Sequence, residues 1–134
     1  MEVGLSGQNM YDMIRESVSA QRLRIVEQKV KAHELAHKTV GGELAGAVRY
    51  KYTKGPDGRL YVTGGEVPLR LEKGKTPQET VEIANRVKRA ALAPLNPSSQ
   101  DRAVAAKAAA MEIQARIEMM AERNDERNVL NLYI

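Results

Sequence analysis

From residue 9 to about 40, apolar positions recur at helical spacing with no Pro or Gly to interrupt them, which predicts one long helix. Met10, Ile14 and Val18 form one stripe, and Val26, Val30, His33, His37 and Val40 form another, so the two histidines continue an apolar face. Gly41 and Gly42 follow at once, as suits a helix C-terminus that needs positive φ or close backbone approach.

The period then changes from helical to alternating. Val48, Tyr50 and Tyr52 alternate with Arg49, Lys51 and Thr53, and Gly55-Pro56-Asp57-Gly58 supplies a turn into Leu60-Tyr61-Val62, a β-hairpin signal. After Gly64-Gly65, the apolar Val67, Leu69 and Leu71 alternate with Glu66, Pro68, Arg70 and Glu72 and predict a third, edge strand, so a small antiparallel sheet is expected over 48–72. Thr76 as N-cap, Pro77 at the first helical position and Glu79 at the capping-box position predict a helix over 77–93, stopped by Pro94 and Pro97. Ser98 caps a second helix with Asp101 three residues on, and the Ala-rich stretch carries it to about residue 123. The tail 124–134 begins polar and ends apolar; fraying, adding an edge strand or docking on a second copy are all compatible with it. The expectation is a single α+β domain over 1–134: a long N-terminal helix, a small antiparallel sheet and two C-terminal helices.

Composition narrows the chemistry. Cysteine is absent, which excludes disulfides, thiol nucleophiles and thiolate metal sites, and leaves imidazole, carboxylate and water as ligands. No leader-like segment opens the chain and no stretch approaches the roughly 18 apolar residues of a membrane span, so a soluble, cytoplasmic protein is expected. Lys and Arg number 21 against 17 Asp and Glu, a net charge of +4, but the cations are spread along helices beside acidic neighbours. With no Phe or Trp and only five Tyr, stacking platforms are scarce as well, and nucleic acid ranks last among candidate partners.

The segment "HELAH" carries the sharpest signal. Residues four apart on a helix share a face, with Cβ atoms about 5 to 6 Å apart, so His33 and His37 can converge on one cation. Zinc suits that spacing, with bonds of about 2.0 to 2.1 Å to each imidazole and one further protein ligand in a catalytic site. Glu34 lies about 100° round the helix from His33, beside such an ion and not on it, where a carboxylate can act as general base toward an attacking water and return the proton to the leaving amine. The plain alternative is two polar helix side chains, with Glu34 facing Lys38 one turn on; two histidines on an apolar stripe nonetheless need a reason for burial, and coordination supplies one.

Spacing leaves the third ligand open between Glu43, six residues after His37, and Glu66, preceded by two glycines that allow close backbone approach. Strand parity puts Glu66 opposite Val67, Leu69 and Leu71, so it turns inward only through a bulge or in a sheet covered on both faces. Tyr50, Tyr52 and Tyr61 are the candidates for stabilising an oxyanion, though tyrosines so placed are more often core or cross-strand residues than catalytic ones.

From about Val30 to Met111 the chain resembles the SprA-related family of bacterial proteins, to which metallopeptidase activity is attributed. The resemblance is carried by "HELAH", "GGELAG", "YKYTKGPDGRLYVTGGEV" and "AALAPLNPSSQDRAVAAKA", in that order. The family keeps the Glu of the "GGEV" segment, whereas the position of Glu43 is commonly Gln. The resemblance therefore implies a zinc-dependent peptidase with His33, His37 and Glu66 as ligands and Glu34 as base, acting on a peptide or protein substrate. One departure from larger zinc peptidases is that the strands follow the histidine-bearing helix here instead of preceding it. The competing reading is a non-catalytic interaction module with a structural zinc or none.

Overall fold

The computed structural model describes residues 7–132 and is α+β. Helix α1 spans Gly7–Gly41, a short 3-10 turn follows at Gly42–Leu44, strands β1 (Arg49–Lys54) and β2 (Leu60–Glu66) form an antiparallel pair, and helices α2 (Pro77–Ala91) and α3 (Ser99–Leu132) complete the chain. Two compact units divide these elements. One holds α1 as far as Leu35 with the hairpin Val48–Glu66; the other holds Ala36–Ala47 and everything from Val67 onward.

In the hairpin unit, Tyr61 and Val62 of β2 are buried along with Ala20 of α1. The Glu27 carboxylate on α1 accepts the backbone N–H of Val62 at 2.7 Å, and Gly55 comes close to Leu23 and to the Tyr61 ring. Gly58 has φ of 79°, the conformation that makes glycine the natural residue at this turn. The register shifts between Lys51 and Tyr52, leaving Thr63 as the extra residue of a bulge.

Two carboxyls of this unit are held below their ordinary range. The Val62 N–H does most to lower Glu27 from its usual 4.5, with Lys31 helping, and the Tyr61 hydroxyl does most to lower Asp57 from 3.8. A depressed carboxylate contributes stability that is complete above its unfolded value and is lost as pH falls through its folded value. Denaturant midpoints should therefore decline on acidification below the ordinary carboxylate range, and Glu27→Gln should flatten that decline; an unchanged acid limb in the variant would count against the Glu27 contribution.

In the other unit, α2 and α3 pack through small side chains: Ala84, Val87, Ala90 and Ala91 face inward from α2, and Ala105, Ala108 and Ala115 from α3. Alanine lets helix backbones approach closely, which compensates for a core without Phe or Trp. α2 begins as its sequence predicts, with Thr76 Oγ1 accepting the Glu79 N–H and the Glu79 carboxylate accepting the Lys75 N–H. α1 ends where Gly42 takes φ of 54°, and a Cβ there would run into the Arg86 guanidinium.

Three expectations are corrected. Residues 67–72 do not form a third strand: a single bridge joins Leu69 to Ala45, flanked by Gly46 N–H to Pro68 O and Arg70 N–H to Leu44 O, both at 2.8 Å. Pro68 has no N–H to give a ladder, and the segment is occupied by the turn that follows α1. The stretch 124–132 is not a separate tail but the continuation of α3, since no Gly or Pro interrupts it; residues 133 and 134 lie outside the described ones. Finally, the stripe Met10, Ile14 and Val18 is exposed and forms no core. Among the described residues, no helix is long and apolar enough to cross a membrane.

Candidate metal centre

α1 places His33 and His37 one turn apart near its C-terminal end, and α3 supplies Asp101 from its first turn. Each of the three offers one ligand atom, and these atoms lie within 4.8 Å of one another, the one such grouping of three or more among the described residues. His37 and Asp101 belong to the same compact unit.

His37 is the best defined of the three. Its ring is buried, with Nδ1 2.8 Å from the carbonyl oxygen of Ala90 on α2 and Nε2 3.2 Å from Oδ1 of Asp101. A carbonyl can only accept, so Nδ1 carries the hydrogen of that bond and Nε2 is the nitrogen turned toward Asp101. A backbone carbonyl on the outer nitrogen is the usual means of fixing a ligand imidazole's tautomer and orientation.

Asp101 is held from its other side. Oδ2 accepts the Ser98 N–H at 2.9 Å while Ser98 Oγ accepts the Asp101 N–H at 3.0 Å, a reciprocal cap on α3 that leaves Oδ1 for His37. The donor set of two imidazoles and a carboxylate suits zinc. Bonds of about 2.0 to 2.2 Å at tetrahedral angles put neighbouring donor atoms about 3.3 Å apart, close to the 3.2 Å between Nε2 and Oδ1.

Glu34 is buried on the same stretch of α1. Gly65 of β2 makes room for it: a Cβ at 65 would lie 3.1 Å from Glu34 Cγ and 3.2 Å from Tyr50 Cδ1. Tyr50 is the cross-strand partner of Gly65, so of the three candidate tyrosines it is the one packed beside the same glycine as Glu34. Tyr52 is exposed, with its ring edge-on to Tyr50 at 6.5 Å, and Tyr61 is a buried residue whose hydroxyl donates to Asp57 in the hairpin turn.

Neither glutamate weighed as third ligand enters the grouping. Glu66 is exposed at the end of β2 and pairs with Arg49 at 3.5 Å; the bulge lies at Thr63, too early in the strand to be the inward turn at Glu66 that the sequence invited. Glu43 is exposed on the 3-10 turn, 3.2 Å from Arg86, with its backbone carbonyl accepting from Arg70. Asp101 was visible in the sequence only as a helix cap.

The architecture is that of an α+β protein whose long first helix brings a His-Glu-x-x-His segment to a carboxylate on its last helix. The model of the SprA-related family matches residues 8–131, and the chain belongs to that family. No curated protein matches it, and no solved structure does.

Proposed function

We propose that the chain is a zinc-dependent peptide hydrolase in which His33, His37 and Asp101 hold the ion and Glu34 is the general base. The observation that carries this reading is the His33–His37–Asp101 grouping, with His37 already oriented by Ala90. Zinc held there would supply Lewis acidity and lower the pKa of a coordinated water toward about 7. The residues supply the rest. Glu34, next in sequence to one ligand and buried, takes the proton released by the attacking water and passes it to the departing amine. Tyr50, packed beside the same glycine, is the side chain best placed to steady a polarised carbonyl.

A second reading has one specific observation in its favour. Nε2 and Oδ1 at 3.2 Å also fit a direct contact between a protonated His37 and Asp101, which would join α1 to α3 with no ion and no catalysis. Metal analysis separates the two. Protein purified without an affinity tag or added metal should carry about one zinc per chain, lose it with any peptide hydrolysis on chelation, and regain both on zinc addition. A chain that takes up no zinc from an equimolar solution would leave the metal-free reading in place.

A further inference from the structure

Two hydrogen bonds fix which way the backbone of the hairpin faces. Gly55 N–H donates across the turn to Arg59 O at 2.8 Å, so residues 55 and 59 are a hydrogen-bonded pair. Such pairs alternate with non-bonded ones along an antiparallel ladder, which makes Lys54 and Leu60, then Tyr52 and Val62, non-bonded pairs. The Val62 N–H confirms the parity, since it leaves the ladder to meet Glu27 of α1. The outer edge of β2 is thus engaged by the helix. On β1 the same parity turns the N–H and C=O groups of Tyr50, Tyr52 and Lys54 away from β2, on a strand exposed along its length apart from half-buried Tyr50.

The charge on this edge has one sign. β1 carries Arg49, Lys51 and Lys54 and no acid, and Arg59 follows in the turn. Of the hairpin's two acids, Glu66 is paired with Arg49 and Asp57 is bound by the Tyr61 hydroxyl. At its Tyr50 end, the strand reaches the glycine against which Glu34 packs.

We infer that the outer edge of β1 receives an extended, acidic peptide segment by strand addition, with its backbone amides on Tyr52 and Lys54 and its carboxylates on Lys51 and Lys54. That this peptide is the substrate delivered toward Glu34 rests on the hydrolase reading; the binding step does not. An edge lined with alternating donors and acceptors matches a polypeptide backbone, whereas a nucleic acid would need only the cations.

The test is fluorescence anisotropy on the full chain with chelator present, so that hydrolysis cannot intervene. The probe is a labelled peptide of about ten residues, with Glu-Glu-Val-Val repeated so that carboxylates fall on both faces of the added strand, as Lys51 and Lys54 do on β1, compared with its Lys-for-Glu counterpart and with a form N-methylated at alternate amides. The acidic peptide should bind at least about tenfold tighter than the other two, and the double variant Lys51→Glu/Lys54→Glu should reverse the preference for acid over base. Equal affinity for acidic and basic peptides, undiminished binding of the methylated form, or displacement by single-stranded DNA at equal concentration would overturn the inference. Peptide binding with this pattern in a chain that holds no zinc would leave the inference standing and remove the hydrolase reading.

Discussion

Asp101→Asn should abolish high-affinity zinc binding while leaving the fold intact. The amide keeps an oxygen that can accept the Ser98 N–H, and so preserves the cap on α3, but it presents a neutral group to His37 Nε2 where a carboxylate stood. Removing an outer-shell partner of a metal site typically costs about 10- to 100-fold in affinity. Losing a ligand should exceed that. Glu66→Ala and Glu43→Ala should retain the metal, since their carboxylates engage Arg49 and Arg86. Competition with a chromogenic chelator reads the affinity, and thermal unfolding of the metal-free proteins reads the fold. Zinc retained in Asp101→Asn and lost in Glu66→Ala would restore Glu66 as third ligand and remove Asp101.

The second large effect is expected at Glu34. Gln has nearly the same shape, so Glu34→Gln should fit the space that Gly65 leaves, keep its zinc and unfold at a similar temperature. It should lose about 10²- to 10⁴-fold in hydrolysis of a mixed fluorogenic peptide substrate, the usual share of a positioned general base. The comparison is made at equal zinc content, so a fall in rate cannot be assigned to lost metal. A fully loaded variant that still hydrolyses at the wild-type rate would take the role of base away from Glu34.

The elements whose signals are local were legible in the sequence. The helix of "HELAH", the hairpin around Gly55-Pro56-Asp57-Gly58 and the α2 cap from Thr76 to Glu79 each follow from a few adjacent residues, and each is found. Asp101 as a candidate ligand was not legible. It stands far along the chain from His37, and its local pattern, Ser98 followed three residues later by an acid, is already explained by capping. Only one of its two oxygens is used by the cap, and no spacing rule discloses what the other faces. Glu66 shows the opposite case: its flanking glycines promise close approach, and the approach found is that of Gly65 to Glu34, while Glu66 itself pairs with Arg49. The extension of α3 to Leu132 is not legible because the polar run 124–128 reads as a helix end, although nothing in it breaks a helix.

The division of the Asp101 carboxylate between Ser98 and His37 has a consequence for the life of the chain in a cell. An ion that binds only the native arrangement stabilises it by mass action, by about 2.7 kcal/mol when free ligand stands 100-fold above its dissociation constant. Part of that stabilisation falls on the first turn of α3, because the group that would grip the ion is the group that starts the helix. With zinc held there as proposed, its withdrawal would loosen the start of the last helix and expose the chain to degradation, so that abundance would follow the metal supply.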